Sequence, residues 1–207
     1  MSIRSKKDLE LELSKLKGFL EPSFELEQYA TPEHIAAEWI WNMALKSEVA
    51  GKTILDAACG PGILGIGLLL MGAKKVYFVD KDKTAIDICV ENYNKVKNEY
   101  EIREAEFIIG DISLFDENVD IVIQNPPFGT KNEHIDKKFL EKAFSVSNIV
   151  YSMHKYSTKK FVEAISKDFQ FQITDLWRYD FPIKAQFKFH QKPVRDVDVG
   201  LWRMEKS

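Results

Sequence analysis

Only two of the 207 residues are cysteines, Cys59 and Cys89. That is too few for a disulfide-stapled scaffold, and they lack the paired spacing of a zinc site. A reducing, cytoplasmic setting is the expectation. No run approaches the ~18 uninterrupted apolar residues of a membrane span, and no apolar stretch follows the basic start Met1-Ser2-Ile3-Arg4-Ser5-Lys6-Lys7-Asp8. Secretion and membrane insertion are therefore not expected. Neither sign of charge dominates: the formal net charge is -3, which argues against coating nucleic acid through an overall field and leaves room for a local basic face. Internal repeats, low-complexity tracts and a Gly/Ser/Pro-rich divider are also missing.

What remains is an ordinary globular composition, 45% hydrophobic and 29% charged, long enough for one domain over 1–207 with its own core. Leu9, Leu13 and Leu16 at helical spacing predict a short amphipathic helix over 6–17, stopped at Gly18. Thr31-Pro32-Glu33 offers an N-cap, a proline at the first helical position and an acid in the first turn, predicting a helix to about Ser47. From Lys52 the pattern alternates between strands at 53–57, 75–79, 106–110, 119–124 and 148–152 and helices at 63–71, 83–99, 134–145 and 157–168. Two further strands, 170–180 and 196–205, follow with no helix between them. The expected fold is α/β, a doubly wound, mostly parallel seven-stranded sheet with helices on both faces and an antiparallel C-terminal strand pair.

The segment Asp56-Ala57-Ala58-Cys59-Gly60-Pro61-Gly62-Ile63-Leu64-Gly65 turns a buried strand into a helix. Its glycines permit a tight turn and close approach to a ligand, and the helix start offers free N–H groups to an anion. Gly60-x-Gly62-x-x-Gly65 meets the dinucleotide fingerprint, and Asp80, ending the next strand, is placed to accept ribose hydroxyls. Asp56 tilts the balance, because a carboxylate before the glycines repels a pyrophosphate and favours the ammonium and sulfonium of S-adenosylmethionine. Asp111, in Gly110-Asp111-Ile112, is a third acid at a strand end and a candidate acceptor for an adenine amino group. Any one of these aspartates could equally cap a helix or shape a turn.

The apolar strand Val119-Asp120-Ile121-Val122-Ile123 runs into Asn125-Pro126-Pro127-Phe128-Gly129. The prolines end the strand and stiffen the loop. In such a loop the Asn125 side-chain oxygen and the Pro126 carbonyl can accept both hydrogens of one NH2 group and aim its nitrogen at a methyl donor, with Phe128 stacking on the ring that bears it. An aromatic amine is a weak nucleophile, so acceptors favouring a pyramidal nitrogen act mainly on the transition state. Right-handed crossovers put this strand beside the one ending in the glycine loop.

On these residues the chain resembles the class I methyltransferase fold, and specifically the archaeal and eukaryotic N6-adenine methyltransferases of small-subunit ribosomal RNA. The resemblance runs through Glu27-Gln28-Tyr29-x-Thr31, Asp56-x-x-Cys59-Gly60-x-Gly62-x-Leu64, Asn125-Pro126-Pro127-Phe128-Gly129-Thr130-Lys131, Tyr151-Ser152-x-His154-Lys155, Arg178-Tyr179-Asp180 and Phe187-Lys188-Phe189-His190. It implies a cofactor site of Gln28, Thr31, Asp56, Ala58, Cys59, Gly60, Pro61, Gly62, Ile63, Asp80, Lys81, Asp111, Ile112 and Asn125, covered by a helical segment over 1–50 ahead of an α/β core over 51–207. Asn125, Pro126, Pro127 and Phe128 would meet the target base. Ala58 and Pro61 depart from eukaryotic relatives. Those relatives also work with a small zinc-binding activator subunit.

A basic, aromatic-interleaved stretch from Phe181 to Arg195 holds Lys184, Lys188, His190 and Lys192 without an acid. With Lys131, His154 and Lys155 these form the expected RNA contacts; the bland alternative is a solvated face. His154 has no second ligand at metal spacing, so no metal site is expected. Guanine N2 and protein glutamine remain alternative acceptors. From other classes, a nicotinamide-dependent oxidoreductase and a non-catalytic RNA-binding module remain open.

Overall fold

The computed structural model describes residues 2–23, 26–128, 135–184 and 194–207, the side chains of 183, 184, 194 and 195 excepted. Seven strands, β1 (Thr53–Ala57), β2 (Lys75–Asp80), β3 (Glu104–Ile109), β4 (Ile121–Gln124), β5 (Ile149–Lys155), β6 (Phe171–Lys184) and β7 (Val194–Lys206), form one sheet in the order β3-β2-β1-β4-β5-β7-β6. The first five are parallel. β7 inserts antiparallel between β5 and β6. The expected mixed seven-stranded sheet is thus found, and β1 lies beside β4, with Ala57 opposite Gln124.

Strand period two sorts nearly continuous apolar runs onto two faces. Ile54, Val76, Phe78, Ile121, Ile123 and Met153 face a core shared with α1 (Lys6–Leu13), α2 (Glu33–Leu45), α3 (Ile63–Leu70) and α4 (Lys83–Glu99). Leu55, Tyr77, Val122, Val150 and Trp202 face a second core under α5 (Ile135–Val146) and α6 (Lys159–Asp168). α3 runs close to the sheet, and Gly65 is where they meet: a Cβ there would strike the Phe78 ring and come within 2.9 Å of Asp56 Oδ2. Gly65 therefore serves helix packing.

Several boundaries differ from the sequence expectation. α1 ends at Leu13, with Ser14 as C-cap. α2 begins at Glu33 with Pro32 as its N-cap and no side-chain capping bond, so Thr31 is not the cap. β5 continues to Lys155 because β7 pairs with it along its length, Lys155 opposite Val199. Among the described residues no helix is long and apolar enough to cross a membrane.

Candidate active site

Chain direction reverses across the sheet between β1, which leads to β2, and β4, which leads to β5, leaving a crevice at their carboxyl ends. Two cavities open there. The larger, about 300 Å³, is lined by Cys59, Gly60, Pro61, Ile63 and Leu64 on one side and by Leu16, Lys17, Phe19 and Thr31 on the other. The smaller, about 80 Å³, lies among Gln28, Asp80, Lys81, Asp111, Ile112, Lys138 and Phe139. Phe19, Tyr29, Ala58 and Asn125 border both, making them two ends of one cleft.

The glycine loop is held by its neighbours. Asp80 Oδ2 accepts from Gly60 N at 2.9 Å and its Oδ1 from Asp82 N at 2.9 Å. Burial pushes the Asp80 carboxyl above its ordinary pKa. Gly62, at φ 88°, packs against Cys89 Sγ where no side chain fits. Ala58, at φ 57°, occupies the left-handed region that costs an L-residue about 1–2 kcal/mol.

Between α1 and α2, the described residues 14–23 and 26–32 flank the cleft as a strap with three moorings. Asn92, buried on α4, accepts from Lys17 N (2.9 Å) and donates to Lys17 O (2.9 Å) and Pro61 O (3.0 Å), tying strap and glycine loop to one side chain. Gln28 Nε2 donates to Asp82 Oδ2 at 2.7 Å while its Oε1 accepts from Ser23 N at 2.7 Å. Asn125 Nδ2 donates to Thr31 Oγ1 at 2.9 Å. That last bond spends the Asn125 amide N–H on the strap and keeps Oδ1 as the acceptor.

Past Asn125, Pro127 lines the smaller cavity. The Phe128 ring packs edge-on to Phe181, centroids 6.4 Å apart, and Lys155 Nζ lies 5.9 Å from its centre. Asn125 and Pro127 thus border the cleft, whose smaller end carries the acids and whose larger end carries the glycine loop, while the Phe128 ring and the Lys155 cation lie together outside its lining.

Residues 40–149, more than half the chain, match the methyltransferase small domain family. The chain belongs to that family. Zebrafish (Danio rerio) rRNA N(6)-adenosine-methyltransferase METTL5 is 36% identical across 95% of this chain and 97% of its own. The uncharacterized protein MJ0284 of Methanocaldococcus jannaschii is 34% identical across 97% and 94%. The crystal structure of PH1948 from Pyrococcus horikoshii superposes with a TM-score of 0.89 at 40% identity, covering 99% of this chain and 98% of that one. Family membership settles the glycine loop's ambiguity in favour of a methyltransferase over a nicotinamide enzyme.

Most of the expected cofactor residues of this methyltransferase line the cleft: Gln28, Thr31, Ala58, Cys59, Gly60, Pro61, Ile63, Asp80, Lys81, Asp111, Ile112 and Asn125. Asp56 and Gly62 do not. Asp56 is fully buried behind the loop; its Oδ2 accepts from Gly65 N at 2.8 Å and its Oδ1 has no partner among the described residues. It thus ties β1 to α3, and burial raises its pKa to about 8, so it does not present a charge to a ligand. Asp111 does line the cleft but also shapes a turn, its Oδ1 accepting from Ser113 N (2.9 Å) and Ser113 Oγ (2.6 Å).

His154 is corrected as an RNA contact. It is 2% exposed, its Nε2 lies 2.6 Å from Ser152 Oγ, and Gln124 Nε2 donates to the same hydroxyl at 2.9 Å. Burial lowers its pKa to about 3, so it is a neutral interior residue. Lys155, the next residue along β5, carries the surface-facing cation. Lys131, Lys188, His190 and Lys192, and the side chain of Lys184, lie outside the described residues. Reading the sequence passed over Asn92, Phe19 and Lys138. Asn92 left one signal, a polar residue one turn from both Ile88 and Val96 on the apolar face of α4.

Proposed function

We propose that the chain transfers a methyl group from S-adenosylmethionine to the exocyclic amino group of an adenosine in small-subunit ribosomal RNA. The observation that carries this reading is the Asn125–Thr31 bond, which holds an acceptor oxygen at the junction of the two cavities. The lining suits the cofactor: acids at the smaller cavity accept from hydroxyl and amino groups, and the start of α3, with Ile63 and Leu64 in the larger cavity, offers a positive helix end to a carboxylate. When bound, S-adenosylmethionine supplies an electrophilic methyl group. Asn125 Oδ1 and the Pro126 carbonyl accept the amino hydrogens, turn the nitrogen lone pair toward the methyl, and hold the amine while its proton leaves to water. Phe128 stacks on the base.

The names of the fly, fish and worm relatives, 30% to 36% identical to this chain, specify adenosine N6 of rRNA. Lys155, beside Phe128, is the described cation for an RNA phosphate; Lys131, Lys184, Lys188, His190 and Lys192 extend that role on the sequence alone. We also propose a small zinc-binding activator as a partner; the open edge of β3, with Ile109 and Leu114 52% and 76% exposed, supports a protein partner of some kind. Unpaired, buried Cys59 and Cys89 accord with a cytoplasmic location.

Incubation with labelled S-adenosylmethionine and unmodified small-subunit rRNA, with and without such an activator, followed by nucleoside mass spectrometry, should yield N6-methyladenosine. Label in N2-methylguanosine or in protein glutamine redirects the acceptor. No transfer under either condition overturns the proposal.

A further inference from the structure

Lys138, on α5, reaches across the smaller cavity to Asp111, which follows β3. Its Nζ lies 2.8 Å from both Asp111 carboxylate oxygens. Both residues line the cavity, together with Val79, Ile112 and Phe139. The two Ser113 bonds and Lys138 together leave Oδ1 crowded, whereas Oδ2 accepts only from Lys138 among the described residues. A carboxylate oxygen accepts about two hydrogen bonds, so Oδ2 keeps one place for a ligand donor and Oδ1 keeps none. Lys138 also holds the Asp111 carboxyl at a pKa of about 2, chiefly through its hydrogen bond, so the acceptor stays ionised in any physiological buffer.

We propose that Lys138 is a positioning residue for cofactor recognition: it locks the Asp111 carboxylate so that Oδ2 receives the adenine amino group of S-adenosylmethionine. The inference rests on the cofactor placement proposed above. Val79, Ile112 and Phe139 offer apolar wall to a flat ring, and Asp111 Oδ2 offers an oriented acceptor to an NH2 group on it. A half-exposed ion pair adds little to folding by itself; its effect here is to remove the freedom the carboxylate would otherwise lose on binding.

The test is a cycle between the protein side chain and the cofactor's amino group. S-adenosylhomocysteine and its analogue with hydrogen in place of the purine amino group are titrated calorimetrically into wild type, Lys138→Met and Lys138→Arg. Lys138→Met should weaken S-adenosylhomocysteine about tenfold, as for a hydrogen bond to a charged group, and the desamino analogue less than about twofold. Lys138→Arg should recover most of the loss, and thermal unfolding should be unchanged. Equal losses for both ligands, or no loss for either, overturn the role of Lys138. Failure of wild type to bind S-adenosylhomocysteine instead overturns the cofactor placement.

Discussion

On the β1–β3 side of the cleft, acids and glycines are tied by backbone amides: Gly60 N to Asp80, Gly65 N to Asp56, Ser113 N to Asp111. On the β4–β5 side, among the described residues, the side-chain bond from Asn125 to Thr31 orients the proposed reactive loop, beside proline stiffness and aromatic packing. The first side is a cradle whose shape depends on many small bonds. The second is, on the proposed function, a pointer whose chemistry depends on two acceptor oxygens, Asn125 Oδ1 and the Pro126 carbonyl. Binding and transfer should therefore be separable by mutation.

The largest expected effect is on the pointer. Asn125→Ala should lower methyl transfer by about three orders of magnitude, as for loss of a transition-state acceptor, while calorimetry finds S-adenosylhomocysteine affinity within about threefold of wild type. Equal losses of binding and turnover would erase the distinction between the two sides. The converse is expected of the cradle. Asn92→Leu strands Lys17 N, Lys17 O and Pro61 O and should cost about 3 kcal/mol in urea unfolding. It should raise KM for the cofactor more than it lowers kcat.

The smallest effect separates the aspartates of the cradle itself. Asp56, its pKa raised to about 8, stays protonated in the fold at pH values where the unfolded chain has released that proton. Its contribution to stability is therefore present at low pH and is lost as pH rises toward 8. His154, lowered to about 3, acts oppositely, losing stability as pH falls below about 6.5. Between pH 6.5 and 8 the His154 contribution is flat and the Asp56 slope remains, on the order of 1 kcal/mol per pH unit, and Asp56→Asn should flatten it in thermal melts. A mutant that keeps the slope would place the titration elsewhere.

Asp56 and Asp111 look alike in sequence, each an acid where an apolar strand ends. β1 lies in the interior of the sheet, and α3 covers its carboxyl end, so Asp56 is sealed; β3 is an edge, so Asp111 meets solvent and Lys138. Strand order across the sheet is set by crossovers, and no local pattern around either aspartate records it. His154 was hidden for a related reason. Sequence periodicity ended β5 at 152, and only pairing with β7, more than forty residues later, carries it past His154 into the interior. Thr31 had every local mark of an N-cap; its partner proved to be Asn125, on a distant loop.

Local chemistry by itself determined the element sequence, the glycine loop, the stiff Asn125-Pro126-Pro127-Phe128 acceptor and the adjacency of β1 and β4. Those follow from side-chain periodicity, backbone restriction by glycine and proline, and the handedness of parallel crossovers. Tertiary structure alone decided which acid faces the cleft, which is sealed, and which side chains tie the strap. Each of those outcomes depends on desolvation and on hydrogen-bond partners from distant segments, quantities that exist only once the layers have packed.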